Sequence, residues 1–285
     1  ADELSLYGRF DFILAKDGTP KILEFNADTP TSLLEASVIQ WQWKEDVFPE
    51  CDQFNGIHEG LVQSWKDIFP KKGEIHFAGA LENNEDTGTL QYLASTAMEA
   101  GFSTRVLDMQ ALDLQNGRFF DPAGELVNRC FKLYPWEWMV DESPDGCLAE
   151  MEWLEPIWKL VMSNKAILAT LYELFPDSPY VLPCYLSRPR SGLFCKKPVF
   201  SREGHNVSVV DIRDWEEYVR IAETEGDYNT GAYVYQEYVE PTAYSGRYPV
   251  IGSWIIGGEA AGIGIRENRM EVTDNLSEFV PHIIG

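Results

Sequence analysis

Tyr7-Gly8-Arg9-Phe10-Asp11-Phe12, the turn cluster Lys16-Asp17-Gly18-Thr19-Pro20, and Leu23-Glu24-Phe25-Asn26-Ala27-Asp28-Thr29-Pro30-Thr31-Ser32 form the stretch on which the fold turns. Apolar runs lie on both sides of the turn cluster, so residues 6–14 and 21–25 read as the two strands of a hairpin. Side chains two apart on a strand share a face. Arg9 therefore stands beside Asp11 and Glu24 beside Asn26, and a hairpin can bring the two pairs together. Asp and Glu carboxylates with an Asn carbonyl are hard ligands suited to Mg²⁺, whose shell is normally completed by waters and substrate phosphates. An arginine at the same place can stabilise charge on a phosphoryl group in transfer. The competing reading of these residues is an exposed hairpin held by a cross-strand Arg–Asp ion pair.

Working outward, Thr29 and Pro30 predict an N-cap and first helical position, with Leu33, Leu34, Ser37, Val38 and Trp41 following at helical spacing. Residues 55–68 predict a second helix with Ile57, Leu61, Trp65 and Ile68 on one face, and Pro70-Lys71-Lys72-Gly73 marks a boundary. The rhythm then changes to a strand at 75–80, a helix carrying Leu90, Leu93, Ala94, Ala97 and Met98 and closed by Gly101, and a strand at 104–107. That order is a parallel β-α-β unit. Asn116-Gly117 is a hairpin-type turn and residues 127–133 supply a further strand. Residues 74–140 thus read as a small inserted α/β domain, preceded by a hairpin-and-helix segment at 1–73. From 141 to 285 the expected order is helix 153–162, helix 165–175, strands 194–199 and 206–210, a helix from Asp214, and strands 233–238, 250–256 and 260–265. Helices beside antiparallel strands predict an α+β nucleotide-binding domain.

Two further stretches bear on chemistry. Lys196-Lys197-Pro198-Val199-Phe200-Ser201-Arg202-Glu203-Gly204-His205-Asn206-Val207 reads as strand, polar loop and strand, in which backbone amides can cover phosphates and a lysine can reach them. It is not a Walker loop, and an ordinary hairpin turn with solvated cations is the competing reading. Gln236-Glu237-Tyr238-Val239-Glu240 can offer backbone groups to an adenine edge, while Gly262-Ile263-Gly264-Ile265-Arg266 lets two backbones approach closely. Taken alone, these two are also compatible with a plain pair of core strands.

Charge narrows the function class. Twenty-three Lys and Arg against 46 Asp and Glu leave −23, a field that repels phosphate backbones and anionic lipid, so neither nucleic acid nor a membrane is an expected partner. Five cysteines, Cys51, Cys130, Cys147, Cys184 and Cys195, are odd in number and lack metal-ligand spacing, and they predict reduced thiols in a cytoplasmic protein. The chain enters a strand pattern without an initiator Met, which predicts a trimmed piece of a longer protein.

Taken in order, Tyr7–Phe12, Leu23–Ser32, Phe131-Lys132-Leu133-Tyr134-Pro135-Trp136-Glu137-Trp138, Lys197-Pro198 with Arg202-Glu203-Gly204, and Gly264-Ile265-Arg266-Glu267 resemble the glutathionylspermidine synthase family. These are carboxylate–amine ligases of the ATP-grasp fold, and the likeness is to synthase-like members without an amidase domain. The resemblance implies an α+β ATP-grasp fold with an inserted pre-ATP-grasp-like domain, and an amide bond formed through an acyl phosphate made from ATP with two Mg²⁺ ions. By matching positions it implies Asp11, Glu24 and Asn26 as Mg²⁺ ligands and Arg9 as transition-state stabiliser. It further implies Lys165, Lys197, Gly204 and Gln236 around ATP, Arg266 near the γ-phosphate, and Glu271, Val272 and Thr273 beside the nucleotide. The implied partners are a small carboxylate and an amine, such as a peptide and a polyamine. Two other classes compete: a non-catalytic or ATPase-only nucleotide-binding module, and a glycoside hydrolase using Asp11 and Glu24.

Overall fold

The computed structural model describes residues 3–202, 204–214, 218–226, 228, 231–269 and 277–285. Within them the chain is a mixed α/β protein with four sheets. The predicted hairpin forms from Tyr7–Leu14 and Pro20–Asn26 and becomes one side of a five-stranded antiparallel sheet. Its outer neighbours come from the other end of the chain: Tyr248–Ile256 pairs with Tyr7–Leu14, followed by Glu259–Asn268 and Glu278–Val280. Gly252 lies opposite Asp11 in this register, and a Cβ there would sit 2.7 Å from Arg9 Cδ. Only glycine lets the arginine lie across the neighbouring strand.

A second antiparallel sheet has the order Cys184–Tyr185, Tyr233–Glu237, Gly192–Pro198, Ser208–Ile212 and Tyr218–Glu223. The β-α-β unit is present as Glu74–Gly79, helix Asn84–Glu99 and Ser103–Asp108, the two strands parallel. Asn83 caps the helix by accepting from the Glu85 amide. Arg129–Leu133 adds on the other side of Glu74–Gly79, also parallel. The Asn116-Gly117 turn, with φ of 52° and 77°, closes a small antiparallel sheet beside it. The principal core runs through both the parallel sheet and the hairpin sheet: Trp65, Phe77, Phe131, Tyr7 and Trp254 belong to one buried cluster.

Three sequence expectations are corrected. Residues 153–162 are not one helix. Glu152–Leu154 is a fourth parallel strand beside Arg129–Leu133, and only Lys159–Met162 is helical. Pro156 interrupts the apolar run, and the open edge of Arg129–Leu133 supplies ladder partners for Glu152–Leu154. The helix from Asp214 is replaced by strand Tyr218–Glu223, whose aromatic and β-branched residues pair with Ser208–Ile212; residues 215–217 lie outside the described residues. The helix expected from Thr29 begins at Leu33. Ser32 has a left-handed φ of 64°, and the Thr29 hydroxyl accepts from Arg202 at 2.7 Å instead of capping a helix. No helix among the described residues is long and apolar enough to cross a membrane, and the five cysteines are unbridged.

Candidate active site

Hairpin register places the first constellation. Arg9 lies opposite Asn26 and Asp11 opposite Glu24, so all four side chains emerge on one face, and a bulge after Asp11 separates them from the rest of the hairpin. Arg9 grips Asp11 in a fork, Nε to Oδ1 at 2.6 Å and Nη2 to Oδ2 at 2.9 Å. Arg266, on Glu259–Asn268, donates to the same Oδ2 at 2.9 Å. Asn26 Nδ2 bridges the two carboxylates, 3.2 Å from Asp11 Oδ2 and 3.3 Å from Glu24 Oε1. The expectation of an exposed hairpin does not hold, since Arg9 and Asp11 are buried.

The second sheet and the turn before helix Ile167–Leu174 supply the facing wall. Lys165 Nζ lies 3.0 Å from Glu24 Oε2 and donates to the Ser201 carbonyl at 2.6 Å. Lys197 Nζ donates to Gln236 Oε1 at 2.7 Å and to the Leu23 carbonyl at 3.1 Å, and Gln236 Nε2 donates to the Ile22 carbonyl at 2.8 Å. Lysine and glutamine thus tie this sheet to the backbone of Pro20–Asn26, the edge strand of the hairpin sheet. Between the sheets lies a cleft open to solvent, with Asp11, Glu24, Lys165, Lys197, Gly204 and Gln236 in its lining and Leu182, Val207 and Val250 as apolar walls. Gly204 has φ 70°, and its carbonyl accepts from Thr224 Oγ1. Of the residues singled out from sequence, Glu271, Val272 and Thr273 lie outside the described residues; the others gather around this cleft.

Burial acts to raise the Glu24 carboxyl, but Lys165 and Lys197, helped by Arg9, outweigh it and bring it down to about 2. Burial opposes charge on Arg9 as well, and Asp11 more than offsets it, holding the guanidinium above its usual value. Arg266 moves the other way, lowered by burial and by the neighbouring Arg9. The low value at Glu24 sets a sign: its contribution to stability is present above the ordinary carboxylate value of about 4.5 and is lost as pH falls toward about 2. In denaturant unfolding followed from pH 6 downward, the stability advantage of the native chain over Glu24→Gln should be constant to about pH 5 and shrink below it. An advantage that grows on acidification would show that Glu24 is not held ionised.

Two carboxylates, two arginines and two lysines leave the cluster with two positive charges in a chain of net −23. Such a spot attracts a polyanion while offering hard oxygen donors. Among the described residues no three His, Cys, Asp or Glu side chains gather as a metal group; the hairpin set is two carboxylates and an amide. Its chemistry, with carboxylate oxygens from facing strands and an amide between them, fits a hard cation that keeps water or phosphate in its shell.

A second recess adjoins the first. Arg202, on the loop that carries Gly204, donates to Thr29 Oγ1 at 2.7 Å and pairs with Glu137. Beyond it opens a pocket lined by Thr29, Thr31, Glu85, Asp86, Trp138 and Arg202. Sequence reading placed Arg202 in a motif without giving it a partner, because Glu137 and Thr29 lie far away along the chain.

The family described as "Glutathionylspermidine synthase preATP-grasp" matches residues 1–285. The chain belongs to this family. A Haemophilus influenzae protein provisionally named an acid–amine ligase is 39% identical over 292 residues, covering 97% of this chain and 74% of that protein. The trypanothione synthetase of Crithidia fasciculata is 28% identical over 95% of the chain, and the bifunctional glutathionylspermidine synthetase/amidase of Escherichia coli is 26% identical over 97%. The chain spans 46% and 49% of those two proteins, about half their length. In three dimensions it resembles a Methylobacillus flagellatus protein provisionally named gamma-glutamylcysteine synthetase, with a TM-score of 0.67 at 10% identity over 98% of this chain and 80% of that one. At that identity the likeness is one of fold. Named members of the glutathionylspermidine synthase family that match here are ligases and synthetases, which form C–N bonds.

Proposed function

We propose that the chain carries the nucleotide site of an ATP-dependent carboxylate–amine ligase with an ATP-grasp arrangement, organised as a hairpin-and-helix segment at 1–73, an α/β domain at 74–140 and a nucleotide-binding domain at 141–285, and working in the cytoplasm. The observation that carries this reading is the convergence of Arg9 and Arg266 on Asp11 and of Lys165 on Glu24, at one end of the cleft that holds Lys197 and Gln236. Tyr238 and Val239 would meet the adenine edge of ATP through their backbone, and Lys165 and Lys197 would meet its phosphates. Glu271, Val272 and Thr273 are assigned beside it on sequence position. Asp11, Glu24 and Asn26 would hold Mg²⁺, which when bound supplies charge neutralisation on the phosphates.

The carboxylate substrate attacks the γ-phosphorus. Its oxygen forms the new P–O bond, the bond to ADP breaks, and Arg9 and Arg266 neutralise charge on the phosphoryl group in passage. An amine then attacks the acyl carbon, phosphate departs with the C–O electron pair, and the amine's proton is released. The adjoining pocket presents Arg202 together with Glu85 and Asp86, which suits a peptide bearing both charges, or a polyamine set against the two carboxylates.

The loop at 201–206 keeps water from the acyl phosphate, and Gly204 is its pivot. Proline cannot adopt the φ of 70° found at Gly204. Gly204→Pro should leave the fold intact and raise the ratio of phosphate released to amide formed, measured with acid and amine pairs that the native protein joins. An unchanged ratio defeats the role of the loop. ATP binding without amide product from any pair would return the protein to the non-catalytic module.

A further inference from the structure

Behind the hairpin, on the side away from solvent, lies a set of buried charges that the proposed chemistry does not use. Lys159 is 3% exposed and Glu155 is 0% exposed. Lys159 Nζ donates to the Tyr7 carbonyl at 2.9 Å and to the Ala27 carbonyl at 3.0 Å, and lies 3.5 Å from Glu155 Oε2. Glu155 Oε1 accepts from the amides of Leu6 at 3.0 Å and Tyr7 at 3.1 Å. Tyr7 opens the first strand and Ala27 follows the last residue of the second, so one ammonium clamps both strands at the open end of the hairpin. Arg9 is two residues inside one clamped carbonyl, and Asn26 is next to the other.

A buried ion pair is a poor way to gain stability, because removing both ions from water costs about as much as their attraction returns. A well-packed apolar pair would serve the core equally well. It could not, however, bond to carbonyls on both sides of the hairpin and to the successive amides of Leu6 and Tyr7. Lysine has three donors on one compact head, and glutamate can take two amides on one oxygen. The arrangement holds the strand spacing at the place where Arg9, Asp11, Glu24 and Asn26 must converge.

We propose that Lys159 and Glu155 are positioning residues that set the separation of the hairpin strands and hence the geometry of the phosphate and metal groups. This role presupposes the phosphoryl-transfer function proposed for the cleft, and the test separates the two. Lys159→Met alone leaves Glu155 as an unpaired buried carboxylate and should be strongly destabilised. The double variant Lys159→Met with Glu155→Gln removes both charges and should fold with an unfolding midpoint well above that of the single variant.

Three readouts apply to the folded double variant in the full chain. Hydrogen exchange at the hairpin amides near Arg9 and Asn26 should quicken ~10-fold or more relative to the protected amides of helix Asn84–Glu99. Affinity for Mn²⁺·ATP, followed by the paramagnetic resonance of the metal, should fall ~10-fold or more. Binding of ADP without metal should change less, since Lys197 and Gln236 bond each other and meet the hairpin at Leu23 and Ile22, away from the clamped end at Ala27. Wild-type hairpin protection with wild-type Mn²⁺·ATP affinity would overturn the proposal, as would loss of protection with unchanged affinity or a double variant that does not fold. If the native protein binds no Mn²⁺·ATP while the hairpin still loosens in the double variant, the nucleotide function falls and the clamp on the hairpin stands.

Discussion

Replacing Arg9 by alanine should lower turnover by ~100-fold or more while changing nucleotide affinity much less, a loss of about 2.7 kcal/mol of transition-state stabilisation. The guanidinium is buried and already committed to Asp11 through two hydrogen bonds. In the ground state Lys165 and Lys197 remain to meet the phosphates, so binding survives its loss. In the proposed transfer, charge would gather on the phosphoryl oxygens near Asp11, to which both Arg9 and Arg266 are bonded. Asp11 keeps Arg266 as a partner in the variant, so the hairpin is not left with an unpaired buried carboxylate. Single-turnover kinetics with a parallel nucleotide titration checks this. Equal losses in binding and turnover would make Arg9 a ground-state phosphate anchor.

Lys132→Met should destabilise the fold by about 3–5 kcal/mol, a size set by the fate of Asp28. Both side chains are fully buried, with Lys132 Nζ donating to Asp28 Oδ1 at 2.6 Å and to the Tyr134 carbonyl at 2.9 Å. Burial lowers the lysine's proton affinity and Asp28 works against that shift. Asp28 Oδ2 also accepts from the Trp136 amide at 2.9 Å, so the carboxylate cannot turn toward solvent when the lysine is gone. Denaturant unfolding measures the loss. The double variant Lys132→Met with Asp28→Asn should recover much of it, because no unpaired buried charge remains. A single-variant loss below about 1 kcal/mol would mean that water reaches Asp28 after all.

Much of the site was legible because strand periodicity is local. Residues two apart share a face whatever the rest of the chain does, and a hairpin closes over a short turn, so Arg9, Asp11, Glu24 and Asn26 could be grouped from their spacing alone. The misreadings have a common origin in strand pairing, which the spacing of apolar residues within one segment does not report. Residues 153–162 contain apolar side chains at spacings that suit a helix, yet Glu152–Leu154 is a strand because Arg129–Leu133 offers it an edge. Residues after Asp214 were read as helical for the same reason, with Ser208–Ile212 as the edge that Tyr218–Glu223 meets. Lys132 carries a local signal of its own: a lysine between Phe131 and Leu133 in an apolar strand calls for a buried partner.

The hairpin, the β-α-β order, the acidic balance and the identity of the cationic and carboxylate residues follow from the chain itself, since each rests on neighbours in sequence or on composition. Which strand lies against the hairpin, why Gly252 faces Arg9, and how Lys159 reaches Tyr7 and Ala27 belong to the folded molecule. Those contacts join residues more than a hundred positions apart. Their partners are selected by burial and by the need to satisfy every buried polar group, conditions that exist only once the sheets have packed.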